Sequence, residues 1–311
     1  MFLVCGEALF DFFLEGEAGP AAATFAARVG GSPFNVAMGL ARLGQPSGLL
    51  TGLSGDMLGR RVAQVMAAEG ISAAYAIPTD RPTTVSLVGL DPAGVPEYQF
   101  YGNGSADTGV ATADLPVLGA EVSGLHFGSY SLAVAPVADA FAALAQRESG
   151  RFISLDPNVR ATIVPDMDVW RARLDALYPL ADLVKISAED LDQLHPGLTP
   201  ENFAADLFAR GVGLVVVTDG GEAAHGFTAS GLAASARPPR IAVVDTVGAG
   251  DTFQAALLAR LLAHDAGPAA AIAALDRDAL RATLEHAARA AAITCARRGA
   301  DLPFAAELTP A

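Results

Sequence analysis

Residues 243–253 read VVDTVGAGDTF, placing Gly248, Ala249 and Gly250 between two carboxylates, Asp245 and Asp251, with an apolar run beyond. Local structure alone could account for this pattern. A tight turn into a helix suits glycine, and an acid in the first helical turn is favoured by the helix dipole. The same residues also fit an anion site, since backbone N–H groups at a helix start can cradle a phosphate. An acid inside such a site opposes phosphate binding unless it has a chemical task. The rest of the chain decides between these readings.

The chain has 311 residues, 52% of them hydrophobic, and a formal charge of −14. That length and apolar content suit one large α/β domain or two smaller ones. The charge argues against a nucleic-acid backbone or an anionic membrane as partner, but backbone dipoles and one arginine still suffice for a local anion site. Lys185 is the one lysine among 20 Lys and Arg residues. Cys5 and Cys295 lie far apart without metal-ligand spacing, which fits free thiols in a reducing compartment. The N-terminal MFLVCGEALFDFF has no basic leader and is interrupted by Glu7 and Asp11, so no signal peptide is expected. The long apolar stretch at 254–275 contains Arg260, His264, Asp265 and Pro268, and no membrane span is expected from it. A cytoplasmic protein is the resulting expectation.

Short β-rich runs (FLVCG, SGLLTGL, GLHFG, RFISLD, LVKIS, LVVVTD, RIAVVD) alternate with helical patterns such as PFNVAMGLARLG, DMLGRRVAQVMAAEG, VADAFAALAQRESG and ENFAADLFARG. This alternation predicts a doubly wound α/β fold, a mostly parallel sheet covered by helices on both faces. The first helix is expected to carry Ser32 as N-cap, Pro33 at its first position and Gly44 just past its end. From Thr83 to Tyr101 the pattern changes to two strands around a DPAG turn. With the Ala22–Arg28 stretch they would form a small β-appendage, a lid or a dimer face. The expected organisation is a single domain over 1–311 with the lid inserted from about 12–29 and 83–106.

Ligands of doubly wound folds bind beyond the carboxyl ends of the strands. Those ends deliver Glu7 to Asp11, Asp156 to Arg160, Lys185 to Asp190, Thr218 to Gly220 and Asp245 to Asp251. Five separated segments thus bring carboxylates, amides, an arginine and glycines to one rim. Each alone is unremarkable as a solvated loop; jointly they favour one site with phosphate-handling parts.

Nearly the whole chain resembles the ribokinase-like, phosphofructokinase-B type carbohydrate kinases. The resemblance is carried chiefly by DTVGAGDTF and VGGSPFNVAMGLARLG, and further by GEALFDF, LSGDMLG, QFYGNGSAD, LHFGSYSLA, SLDPNVR, VKISAEDL, VVVTDGGEAA and CARRGAD. Several of these look most like fructokinases. The resemblance implies transfer of the ATP γ-phosphoryl group to a terminal sugar hydroxyl, with Mg²⁺, a sugar as small-molecule partner and a β-sheet lid through which some relatives dimerise. It makes Asp251 the general base and Gly248, Ala249 and Gly250 the anion hole. Asp11, Gly30, Gly31, Asn35, Tyr101, Asn103 and Arg160 become sugar-site candidates. Asn158, Lys185, Ser187, Thr218, Gly220 and Gly221 become ATP-site candidates.

Chemistry agrees with these roles. Phosphoryl transfer depends on positioning and charge stabilisation, small residues let backbone N–H groups approach the phosphate, and a positioned carboxylate can accept the hydroxyl proton. Some positions depart from the family. Where many members have Asn-x-x-Glu near the metal, this chain has Ser187-Ala188-Glu189-Asp190, leaving Glu189 and Asp190 both open as ligands of a metal water. The monovalent cation of some relatives lies near positions matching Asp245, Val247, Thr294, Arg297 and Gly299. A serine that helps hold it is Pro303 here, which argues against potassium dependence. Gly102 stands where many relatives carry a lid arginine. A dinucleotide-binding dehydrogenase would want G-x-G-x-x-G after the first strand and a P-loop enzyme GxxxxGK[ST]; neither occurs. A catalytically silent sugar- or nucleotide-binding relative would have lost the base or the anion hole, and both are present.

Overall fold

The computed structural model describes residues 1–17, 21–90 and 96–308. The strands are β1 (Phe2–Cys5), β2 (Leu9–Glu17), β3 (Ala23–Gly30), β4 (Ser47–Leu50), β5 (Gly52–Ser54), β6 (Ile77–Thr79) and β7 (Val85–Leu90). They continue with β8 (Pro96–Tyr101), β9 (Gly124–Gly128), β10 (Phe152–Asp156), β11 (Leu183–Ser187), β12 (Leu214–Asp219), β13 (Ala223–Thr228) and β14 (Ala233–Ala236). The helices are α1 (Ser32–Arg42), α2 (Met57–Glu69), α3 (Val137–Arg147), α4 (Met167–Leu177), α5 (Ala188–Leu194) and α6 (Pro200–Ala209). Then follow α7 (Ala249–Leu262), α8 (Pro268–Ala273), α9 (Arg277–Cys295) and α10 (Ala305–Leu308).

Eight strands form the main sheet in the order β14-β13-β12-β11-β10-β9-β1-β4. The six from β12 to β4 are parallel, and β13 and β14 add an antiparallel edge. Alternate residues of each buried strand face opposite layers. Leu3, Cys5, Ile153, Leu155, Val184, Ile186, Val215 and Val217 join the apolar layer that includes α3 to α6. Phe2, Val4, Phe152, Leu183, Leu214 and Val216 join the layer that includes α1, α2 and α7 to α9. The doubly wound reading is therefore the observed architecture.

A second sheet, in the order β3-β2-β7-β8, stands apart from the first. The expected β-appendage is present, and it also takes in Leu9–Glu17, so the GEALFDF stretch holds both the end of the first strand and the start of this sheet. The expected DPAG turn between β7 and β8 falls outside the described residues. Among the described residues, no helix is long and apolar enough to cross a membrane.

Two expectations need correction. RIAVVD forms no strand, and Val243 and Val244 are 63% and 62% exposed. The place beside β12 is taken by β13, a polar and small-residue strand that the apolar pattern did not reveal, so RIAVVD finds no free ladder there. Instead the Val244 N–H donates to the Cys295 carbonyl at the end of α9. Nor is Ser32 an N-cap: the cap position is Gly31, at φ 105°, and Ser32 is the first helical residue, ahead of Pro33. Gly44 does follow the helix, at φ 80°.

Helices α1 and α7 cross closely at Gly39, where a Cβ would come within 2.6 Å of Ala255 Cβ and 2.7 Å of Leu302 Cδ2. Neither contact can relax by rotating a long flexible side chain away. Gly39→Val should therefore destabilise the fold by about 1–3 kcal/mol through overpacking. Equilibrium urea unfolding measures this; a variant as stable as wild type would refute the close crossing.

Candidate active site

The first turn of α7 begins at Gly248, whose φ of 78° a side chain would strain. Space is short as well, since a Cβ at Gly248 would lie 2.6 Å from Ala300 Cβ. Ala249, Gly250 and Asp251 follow as the first helical residues, so unpaired backbone N–H groups gather where no bulky side chain covers them. Asp251 is only 7% exposed. Its Oδ1 accepts the Ser32 hydroxyl at 2.6 Å and its Oδ2 accepts the Asn35 amide at 2.8 Å. Both donors come from the first turn of α1, so two helix starts converge on one carboxylate. The sequence position of Ser32 suits a cap, and only the convergence of the two helices reveals its partner.

Behind this turn lies Glu7, buried and missing from the predicted site. It accepts the Ser131 hydroxyl at 2.8 Å and the Ser32 N–H at 3.3 Å. Burial pushes its carboxyl up to about 7, against the pull of the Ser129 and Ser131 hydroxyls. Gly31 is required here, since a Cβ would meet the Glu7 carbonyl oxygen at 2.7 Å. Gly30 makes room for Asp11 in the same way, with Asp11 Oδ2 only 2.3 Å from where its Cβ would be. Burial raises Asp11 to about 6, opposed by the Ser86 hydroxyl and the Arg160 guanidinium and assisted by the Asp251 charge. Asp11, Arg160, Asn35 and Asp251 therefore share one electrostatic neighbourhood.

At the end of β10, Asn158 adopts φ 38° and its Oδ1 accepts Arg160 Nη1 at 2.7 Å. Asp190 is buried and accepts the Val159 N–H at 3.1 Å. Burial raises its pKa, with the Ser187 hydroxyl, Lys185 and Arg160 opposing. Glu189 is exposed, and its carboxylate accepts the Gln193 amide at 3.4 Å. Of the two acids left open by the sequence, Asp190 is the one turned toward Arg160 and Lys185. Ser187 caps α5 by accepting the Asp190 N–H at 3.0 Å. Thr218 is the next-to-last residue of β12, and Gly220 and Gly221 follow the strand in an exposed turn. Lys185, expected along the nucleotide, lies instead inside the protein, 4% exposed and bonded to Asp156 at 2.8 Å.

Tyr101, the last residue of β8, and Asn103, in the turn beyond it, are both exposed. Gly102 is buried, and a Cβ there would strike Phe100 Cε1 at 2.2 Å. The Phe100 ring itself packs edge-on against Tyr130, centroids 5.0 Å apart. An arginine at 102 would have to displace that ring. Around the expected monovalent-cation positions, both oxygens of Asp245 accept backbone N–H groups, from Val247 at 3.1 Å and Gly299 at 2.8 Å. Thr294 bonds Thr252 at 2.9 Å, and Arg297 pairs with Glu307 and Asp301. Arg28 of β3 reaches the same loop, donating to the Arg298 carbonyl at 2.8 Å.

The site thus joins a buried, doubly hydrogen-bonded carboxylate, a turn of small residues at a helix start and a second acidic and amide pocket. Two buried acceptors in it, Asn35 Oδ1 and Asp156 Oδ1, have no hydrogen-bond partner among the described residues. Among the described residues, no group of three or more His, Cys, Asp or Glu side chains forms a metal cage.

Residues 2–306 match the pattern of the pfkB family carbohydrate kinases. A fructokinase from Rhizobium leguminosarum bv. trifolii is 39% identical over 286 residues, covering 90% of this chain and 86% of that protein. The crystal structure of a fructokinase from Xylella fastidiosa with bound ATP superposes with a TM-score of 0.90 at 27% identity, covering 99% of this chain and 96% of that one. Aminoimidazole riboside kinase from Salmonella enterica, complexed with aminoimidazole riboside and an ATP analogue, gives a TM-score of 0.79 at 25% identity, with 98% of each chain covered.

The raised Asp11 carboxyl carries a pH dependence. A carboxylate with pKa about 6 is present above that pH and is lost as pH falls through it. Catalytic efficiency toward the acceptor should therefore decline below about pH 6. Asp156, at about 6, and Glu7, at about 7, titrate in the same range. Asp11→Asn separates them: the limb should flatten in a pH series of kcat/KM, and an unaltered limb would exclude Asp11 as its source.

Proposed function

Since the chain belongs to the pfkB family of carbohydrate kinases, we propose that it transfers the γ-phosphoryl group of ATP to the terminal hydroxyl of fructose. The observation that carries this reading is the Asp251 carboxylate held by two donors beside the small-residue turn of α7. Bound ATP supplies the phosphoryl group, with Mg²⁺ on its phosphates offsetting their charge. The metal would fit this site as an ion held mainly by phosphates and water, with Asp190 or Glu189 holding one of its waters, since among the described residues no group of three or more His, Cys, Asp or Glu side chains forms a cage.

Asp251 accepts the proton of the attacking hydroxyl. Ser32 and Asn35 fix both of its oxygens, so the carboxylate is oriented before the sugar arrives. Asn35 Oδ1, buried without a partner, is free to accept a sugar hydroxyl, and Asp11 offers a second acceptor across the pocket. The N–H groups of the α7 first turn face the phosphoryl oxygens, where fixed dipoles need no reorganisation as charge shifts. Arg160, held by Asn158, adds a cation on the phosphate side. The small sheet, tethered through Arg28 to the loop that follows α9, acts as the lid that excludes water from the transfer.

Acceptors rich in hydroxyls suit this polar pocket, because analogues lacking them leave buried groups unpaired. A sugar acid would need a cation for its carboxylate, and Phe100 occupies the space that an arginine at 102 would use. Asp251→Asn should lower kcat by about 10²–10⁴, the usual worth of a general base, while nucleotide binding followed by calorimetry persists. Retention of more than about a tenth of wild-type kcat would remove Asp251 from that role.

The substrate is tested by comparing kcat/KM for fructose, ribose, adenosine and 2-keto-3-deoxygluconate in an ATP-coupled assay, with and without Mg²⁺. Fructose should lead, and turnover should vanish without the metal. An advantage of tenfold or more for another acceptor, about 1.4 kcal/mol, would overturn the substrate assignment.

A further inference from the structure

Glu7 is a buried acid at the edge of the site that the mechanism above leaves without a task. It is 1% exposed and stands between the end of β1 and the start of β2. Its two carboxylate oxygens reach different segments. One accepts the Ser131 hydroxyl at 2.8 Å, from the short 3₁₀ turn Ser129–Leu132 that follows β9. The other accepts the Ser32 N–H at 3.3 Å, at the first residue of α1. Backbone packing closes the same corner, where a Cβ on Gly6 would lie 2.2 Å from Pro33 Cγ.

Helix α1 starts without a cap of its own. Helix starts ordinarily satisfy an early N–H group with a Ser, Thr, Asn or Asp side chain at the cap position. Here that position is Gly31, which has no side chain to offer, and Pro33 has no N–H to satisfy. The Asn35 N–H closes the first helical turn onto the Gly31 carbonyl at 2.9 Å. The Ser32 N–H depends instead on Glu7, 25 residues back in the chain. A local cap would serve the stability of α1 as well and would avoid burying an acid, whose carboxyl burial pushes up to about 7. A local cap could not fix the helix start against the ends of β1 and β9. Ser32 stands at the junction, its N–H held by Glu7 and its hydroxyl donating to Asp251 Oδ1 at 2.6 Å.

We propose that Glu7 is a positioning residue for Asp251: by gripping the Ser32 N–H it sets the first turn of α1, and the Ser32 hydroxyl passes that placement to the carboxylate. Asn35 lies in the same turn and holds the other Asp251 oxygen at 2.8 Å, so one anchor governs both donors. An acid suits the task because an ionised carboxylate only accepts, and neither oxygen can turn a donor toward the Ser32 N–H. A misaimed base costs rate rather than nucleotide affinity, because proton acceptance matters only as the hydroxyl attacks.

The proposal rests on the kinase reading for the task of Asp251, and a double-mutant cycle through Ser32 tests it. Glu7→Leu roughly keeps the volume and removes both acceptors. Its kcat should fall by about 10–10²-fold, the scale of a reacting group held slightly out of place, while KM for ATP holds. Glu7→Gln leaves an acceptor for the Ser32 N–H, with the Ser131 hydroxyl free to turn and accept from the amide. It should recover most of the loss. In the Ser32→Ala background the link is already cut, so adding Glu7→Leu should lower kcat no further. Should Glu7→Leu not fold, Glu7→Asp withdraws the acceptor by one methylene and carries the same cycle. A kcat unchanged by the Glu7 substitution, or the same fold-loss with and without the Ser32 hydroxyl, confines Glu7 to the packing of α1 and overturns the proposal. Failure of the kinase reading looks different, since wild type itself would then show no sugar-dependent turnover.

Discussion

Everything in this site depends on one carboxylate being gripped from the far end of the chain. Asp251 accepts hydrogen bonds from Ser32 and Asn35, residues 219 and 216 positions away. Those bonds exist only if the N-termini of α1 and α7 arrive together on the same face of the main sheet. The Gly39–Ala255 approach sets that spacing, because two helices separated by a side chain there would pull the donors off the acid. Packing in the helix layer and chemistry at the rim are therefore one constraint. The glycines at 30, 31 and 248 serve the same end, each clearing the space that a carboxylate, a carbonyl or the loop after α9 occupies.

A protein of formal charge −14 that handles a polyanion must gather positive potential locally. Here it comes from backbone N–H groups at the start of α7, from Arg160 at the surface and from Lys185 in the interior. These sources differ in kind. Dipoles fixed in the backbone do not reorganise and are not titrated, the arginine can follow a mobile phosphate, and the buried ammonium cannot move at all. Asp11, Asp190 and Asp251 lie among them, so charges of both signs alternate through the site. Burial sharpens each contact by lowering the local dielectric, and it also explains why Asp11, Asp156 and Glu7 titrate well above ordinary carboxylates.

The amino-acid sequence carries the architecture through alternation. Leu183, Ile186, Val215 and their neighbours are apolar on both faces because both faces are covered, and a parallel sheet follows from that. The glycine-rich turn before Asp251 was recognisable because close approach to an anion leaves little choice of residue. What could not be read is whatever depends on tertiary competition. RIAVVD has the composition of a strand, yet β13 holds the edge it would need. Ser32 has the composition of a cap, yet its hydroxyl is drawn to a carboxylate two hundred residues on. Lys185 stands in a strand-end segment among the nucleotide-site candidates, yet it is buried. Only the register of β11 against β12 shows that its side chain turns inward.

That inward turn gives the main sheet a polar strip in an otherwise apolar layer. Gln254 of α7 donates to Ser154 at 2.8 Å, Ser154 bonds His126 at 3.1 Å, and Asp156 and Lys185 continue the strip toward the anion hole. Burial together with the Lys185 charge drives His126 down to about 3, so the ring is neutral there and adds no competing cation. Buried polar groups destabilise unless they are paired, and His126 Nε2, Gln254 Oε1 and Asp156 Oδ1 are not. A core selected for stability alone would fill this strip with aliphatic side chains, as the opposite face of the same strands does. The helix that presents Asp251 and the small-residue turn thus lies over a part of the core that keeps polar groups unpaired among the described residues. That placement ties the strip to the electrostatics of α7 rather than to the stability of the sheet.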